Sequence, residues 1–202
     1  MTFLETFLVN FVSVNNIIQM KINHIILLNL LIIFNTVNLM AQDIVFNFEK
    51  DKDLKEWFIV NDNVMGGISE SNFSINKDGY GIFQGYISTE NNGGFCSLRQ
   101  SLSRKYIGNN NILKLKIKGD GKDYQLRIKA NRNDYFSYVV TFKTTGEWEE
   151  IEIPLKEMYP YFRGRKLNMQ NFNNNYFEQI AFLVGNKRNE KFKLIIDRIT
   201  LE

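Results

Sequence analysis

Residues able to do acid–base, nucleophilic or metal chemistry are scarce in this chain. It has one histidine, His24, and one cysteine, Cys96. His24 lies in an N-terminal stretch with the plan of an export signal. Once that stretch is set aside, a His-containing triad, a His acid–base pair and a His metal site are all excluded. Cys96 has no second cysteine to bridge, and its place between Phe95 and Leu98 reads as that of a small core residue. Carboxylates are what remain. Asp62 in "NDNVMGG", Glu90 in "ENNGG" and Asp120 in "GDGKD" are the pairs a hydrolase would draw on, but no motif brings them together. Asp120 and Asp123 are oxygen donors of the kind calcium takes. Their spacing matches no full calcium loop, and an Asp-Gly hairpin turn is the better reading. No G-x-G-x-x-G run precedes a helix, so no dinucleotide is expected, and no cofactor or metal is expected either.

Residues that could bind are more plentiful. In "WFIVNDNVMGGISES" (from Trp57) an Asn61-Asp62 pair and two glycines stand between strand-like runs. The reading here is a strand ending at Val60, a tight Asn-Asp turn, a Val64-Met65 plug into the core and a Gly66-Gly67 crossover. Only Asp62 escapes a purely structural account. In "ENNGGFCSLRQ", Phe95, Ser97 and Arg99 share one strand face and Cys96, Leu98 and Gln100 the other. Arg99 on a partly covered face needs a carboxylate, with Asp62 or Asp120 the candidates, or else a ligand. "YPYFRGRKLNMQNFNNN" puts three aromatics beside Arg163 and Arg165 in a loop-like stretch. Such a set makes a protein-binding surface or a sugar-stacking platform, or simply packs a loop down. The candidate binding residues are therefore Asn61, Asp62, Arg99, Asp120, Tyr161, Arg163 and Arg165. The net charge of +3 comes from scattered lysines with no dense basic cluster, so nucleic acid is not an expected partner.

The elements that must position these residues are strands. "MKINHIILLNLLIIFNTVNLMAQ", from Met20, has the basic start, apolar run and small-residue end of a secretory signal, with cleavage after Ala41 and translation starting at Met20. The run is too short and too interrupted by Asn29 and Asn35 for a transmembrane helix, and no stable span is expected in the mature chain. Residues 42–202 then form one domain. Its clearest piece is "NILKLKIKGDGKDYQLRIKA", two period-two runs around Gly-Asp-Gly, read as a hairpin. Further short strands follow at even spacing, with one helical turn at "LKEMY". Many short strands, 44% hydrophobic residues and 14% aromatics predict an all-β sandwich or barrel with a sizeable core.

"NDNVMGGIS" (Asn61 to Ser69), "FQGYIS", "NNGGFCSLR", "KGDGKDY", "YFRGR" and the closing "FKLIIDRI" occur in an order and spacing that resemble the family of the complex I intermediate-associated protein of 30 kDa. The resemblance covers nearly all of residues 42–202. It implies a galactose-binding-like jelly-roll β-sandwich, in accord with the strand pattern. It also implies a non-enzymatic role, since members assist assembly of the respiratory NADH dehydrogenase or other membrane complexes. It brings no catalytic residues. The export signal is a departure, because an exported relative reaches only the far side of the membrane from the nucleotide-oxidising arm. The expectation is thus an interaction factor of the bacterial periplasm or cell envelope, with a protein partner such as a membrane complex or its subunits. A carbohydrate-binding module of the envelope is the alternative.

Overall fold

The computed structural model describes residues 19–27, 29 and 43–202, and of Met65 the backbone. The chain divides into two compact units, Met1–Ala41 and Gln42–Glu202. In the first, residues 19–27 and 29 are helical. Of the apolar run of the expected export signal only residues 25–27 and 29 are among those described, and the Ala41–Gln42 junction falls outside them. Among the described residues no helix is long and apolar enough to cross a membrane.

The second unit is built from antiparallel strands: β1 (Asp43–Asn47), β2 (Trp57–Asn61), β3 (Glu70–Ile75), β4 (Gly81–Ile87), β5 (Cys96–Tyr106), β6 (Ile112–Lys118), β7 (Asp123–Lys129), β8 (Ser137–Lys143), β9 (Trp148–Pro154), β10 (Tyr159–Phe162), β11 (Arg165–Lys166), β12 (Tyr176–Val184) and β13 (Glu190–Leu201). They form two sheets. One has the order β3-β4-β13-β6-β9, with β1 also on β13; the other runs β11-β10-β8-β7-β12-β5-β2. The expected all-β sandwich is found, and "LKEMY" supplies a short 3₁₀ turn, Leu155–Glu157.

Alternation along each strand decides what lies between the sheets. Leu113, Leu115 and Ile117 of β6, Tyr124, Leu126 and Ile128 of β7, and Ile180, Phe182 and Val184 of β12 all enter one core. Each such side chain stabilises the fold by about 1.5–3 kcal/mol on burial. Cys96, Leu98 and Gln100 face this core as their alternation predicts. Phe46, Phe48, Trp57 and Phe73 close it with edge and tilted ring contacts at 4.4–5.6 Å.

Three expectations fail. The Gly-Asp-Gly loop is no hairpin: β6 pairs with β13 and β9, β7 with β12 and β8, so the loop is a corner between sheets. Corners and hairpins use the same Gly and Asp, and alternation reveals a strand's face but not its neighbour. Val64 is no plug, because it is 69% exposed on a 3₁₀ turn, Asp62–Met65, that stands away from the core. The supposed loop after Tyr159 is ordered too. β10 adds to the sheet edge at β8 and turns back into β11.

The outward faces of the two sheets differ in charge balance. On the six-stranded sheet Lys114 pairs with Glu152 and Glu202, Lys116 with Asp197, Lys118 with Glu147, and Arg198 with Glu150 and Asp197. On the seven-stranded sheet Glu178 pairs with Arg104 and Arg132, and among the described residues no such ladder extends over Arg99 and Arg127.

Candidate functional site

Asp62, the carboxylate that escaped a structural account in the sequence, is 1% exposed. Its Oδ1 accepts the Ser69 amide at 2.9 Å. Its Oδ2 accepts the Ser69 hydroxyl and the amides of Gly94 at 2.5 Å and Phe95 at 3.3 Å. The Ser69 Oγ in turn accepts the Ser88 amide at 3.0 Å. A Cβ at Gly67 or Gly93 would run into this carboxylate, which is why both positions are glycine. Burial pushes the Asp62 pKa up, but the hydrogen bonds from Ser69, Gly94 and Phe95 outweigh it and hold the group below the usual carboxylate value. With one hydrogen bond to Oδ1 and three to Oδ2, Asp62 is a knot that ties the 3₁₀ turn to the connection entering β5. Asn61 belongs to the same corner and accepts the Ser71 hydroxyl at 2.7 Å.

Asp120 makes a second closed cluster. It accepts the Tyr124 hydroxyl at 2.8 Å, the Lys122 ammonium at 2.6 Å and the Lys193 amide at 3.0 Å. Neither Asp62 nor Asp120 pairs with Arg99, whose hydrogen bond goes to Ser97 Oγ at 3.3 Å.

Arg99 opens instead onto a cleft of about 390 Å³ on the outer face of the seven-stranded sheet. Arg99, Ala181 and Arg127 lie side by side on β5, β12 and β7. Two strand spacings, about 10 Å, separate the two arginine backbones. Ala181, itself buried, stands between them. Lys129 lies two residues along β7, and Tyr135, Tyr161, Phe162, Arg163 and Lys187 complete the walls. The expected residues Arg99, Tyr161 and Arg163 therefore meet here, while Arg165 in β11, Asn61, Asp62 and Asp120 do not line the cleft.

Five cations and no carboxylate line this cleft. Arg127 donates from Nε and Nη2 to Gln125 Oε1 at 3.0 and 2.6 Å, so neither arginine has an acidic partner among the described residues. Burial, with Arg99 adding to it and Tyr161 and Tyr159 opposing, brings Arg127 down to about 10. Burial lowers Arg99, and burial together with Arg99 lowers Lys129. Both guanidiniums remain protonated near neutrality. The aromatic walls hold the cations. The Arg127 guanidinium lies 5.6 Å from the Tyr161 ring centre and that of Arg163 lies 5.3 Å from Phe162. In the sequence, Arg127 and Lys129 read only as the wet side of an alternating strand. The missing signal was the strand order that sets them beside Arg99.

Among the described residues no group of three His, Cys, Asp or Glu is placed to hold a metal ion. The cleft offers no nucleophile with a base beside it. What it can do chemically is bind negative charge.

The family model for complex I intermediate-associated protein 30 (CIA30) matches residues 46–196. The chain belongs to the CIA30 family. It is 25% identical over 179 residues to the mitochondrial complex I intermediate-associated protein 30 of Mus musculus. That match covers 77% of this chain and 55% of the mouse protein, so the chain spans about half the length of the curated relative it matches. In fold it is similar to the family 11 carbohydrate-binding module of Clostridium thermocellum, solved in complex with a β-1,3-1,4-mixed-linked tetrasaccharide. The TM-score is 0.58 with 16% identity, over 79% of this chain and 94% of that one. An agarase, AgWH50C, matches with TM-score 0.54 and 10% identity, over 80% of this chain and 26% of the agarase. These likenesses establish a shared β-sandwich. The CIA30 match contains both "NDNVMGGIS" and "NNGGF", the two halves of the Asp62 knot.

Proposed function

We propose that this CIA30-family chain is a non-enzymatic interaction factor that helps assemble or stabilise a membrane complex, and that it meets its partner with the cleft face of the seven-stranded sheet. The observation that carries the reading is the uncompensated Arg99–Arg127–Lys129 floor. Half-buried cations without counter-charge cost stability, so a surface that keeps them is incomplete until something acidic covers it. We place the work in the bacterial envelope, on the strength of the export-signal plan of residues 20–41. The test is cross-linking and partner capture from envelope fractions with the wild-type chain and with an Arg99→Gln/Arg127→Gln variant. A defined partner recovered by the wild type supports the reading; recovery of nothing above background removes it.

The second reading, an envelope carbohydrate-binding module, is favoured by one feature: Tyr135 stands 63% exposed at the cleft rim. Against it, Tyr161 and Phe162 each have a guanidinium near the ring, which reduces the flat surface left for a neutral sugar. Binding on a neutral-glycan array that is lost on Tyr135→Ala would move the assignment to this reading, and a blank array would retire it.

A further inference from the structure

We propose that the cleft receives an acidic peptide segment of the partner, with two carboxylates of that segment pairing with Arg99 and Arg127 on either side of Ala181. This rests on the protein-binding reading above and names the chemistry of the segment.

The argument is one of contrast within a single molecule. Across the six-stranded sheet, Lys114, Lys116, Lys118 and Arg198 each meet a carboxylate of the same chain. Those four cations have their counter-charges within the chain. Across the cleft, Arg99 and Arg127 have hydrogen bonds only to neutral Ser97 and Gln125. Lys129 donates to the backbone carbonyls of Arg132 and Asp134, with the Asp134 carboxylate an added influence on its charge. Solvent does not compensate two half-buried guanidiniums as it compensates exposed ones, and each raises the cost of the other. The groups are also aimed by design of the backbone. Arg99 and Arg127 occupy the same cross-strand row, one strand to either side of Ala181, and both line the cleft. A planar guanidinium takes a carboxylate through two parallel N–H donors. Arg99 has both Nη groups without an acceptor among the described residues, and Arg127 retains Nη1.

Peptide is favoured over polysaccharide by the walls. Beside the cations the cleft is lined by Phe95, Leu183 and Phe162, apolar groups that suit the side chains between acidic residues. Lys187 and Arg163 add charge at the rim, so further acidic residues of the same segment meet cations as they leave.

The test is fluorescence-polarisation binding to the full chain with four labelled probes. They are a ten-residue peptide alternating Glu with Ser, the same peptide with Gln for Glu, a hexagalacturonate and a single-stranded ten-nucleotide DNA. The expected result is binding of the Glu peptide, at least tenfold weaker for the Gln peptide, for the hexagalacturonate and for the DNA. Arg99→Gln/Arg127→Gln weakens the Glu peptide at least tenfold, while Lys114→Gln/Lys116→Gln on the opposite face, which changes the net charge equally, leaves it unaltered. Thermal melts of both double variants verify folding. Equal loss in the two double variants, tighter binding of the uronate or DNA, or no binding at millimolar Glu peptide overturns the inference. Failure here is distinct from failure of the assembly reading. Capture of a defined partner that is indifferent to the Arg99→Gln/Arg127→Gln change leaves the assembly role standing and removes both the acidic segment and the cleft as its docking face.

Discussion

Asp62 concentrates more bonding than any other polar side chain in the domain, and its protonation state is part of the fold. Its folded pKa lies below the unfolded value, so the stability its charge contributes is complete above about pH 4 and is lost as pH falls through the folded pKa. Urea midpoints measured from pH 7 down to pH 3 should therefore fall steeply at the acid end. Asp62→Asn should lie about 3 kcal/mol lower at pH 7, because its amide presents a donor to donors, and should show a flatter acid limb. A second buried pair behaves oppositely. Trp57 Nε1 and Gln100 Oε1, on residues paired across β2 and β5, both lack a hydrogen-bond partner. Gln100→Met removes the unmet carbonyl while keeping the volume, and should raise stability by about 1 kcal/mol in thermal melts. Cys96, read in the sequence as a core residue, is buried with its thiol pushed up to about 11 by burial and by the nearby Asp62.

At the scale of elements, strands and their faces were legible in the sequence because period-two alternation is local. Leu113, Leu115 and Ile117 announce β6 unaided, and the split of Arg99 from Leu98 follows from the same rule. Partnership between strands is not local, which is why the Gly-Asp-Gly corner passed for a hairpin. The true hairpin at β10–β11 went unseen because its two-residue loop, Arg163-Gly164, lacks the usual Asn-Gly. Both loop residues have positive φ, 45° and 81°, as a type I′ turn requires. A non-glycine residue in that region costs about 1 kcal/mol, and asparagine tolerates it better than arginine. Arg163→Asn should accordingly stabilise the domain in denaturant titration by about 1 kcal/mol while weakening capture of an acidic probe. A neutral or destabilising result would mean that the Phe162 contact repays the backbone cost.

The molecule as a whole is asymmetric in charge, and no reading of composition could show it. A net charge of +3 spread along 202 residues looks bland. Folding gathers five cations into the cleft, from β5, β7, the β10–β11 turn and the residues after β12, while Lys114, Lys116, Lys118 and Arg198 of the six-stranded sheet meet carboxylates. Arg99 and Arg127 stand 28 positions apart and meet only because β12 slots between their strands. Such an arrangement trades stability for binding. Arg127→Met keeps the stem and removes the desolvated charge beside Arg99. It should raise the melting temperature, by about 1 kcal/mol in stability, while abolishing partner capture. A variant that lost both would place Arg127 among the supports of the sheet.

The glycine-lined knot has a corollary for lineage. Asp62, Gly67 and Gly93 form an interlocked set: the carboxylate fills the room that two absent side chains leave. No member of the set can change alone without stranding the others, so drift at these positions must pass through a less stable chain. The cleft floor is under no such bond, since Arg99, Arg127 and Lys129 sit on strands whose registers other residues hold. Descendants of one ancestor can thus inherit the knot letter for letter and yet diverge freely in what their clefts accept. The family match at Asp62 speaks for the scaffold; on the reading proposed above, the partner is met 37 and 65 residues further on, at Arg99 and Arg127.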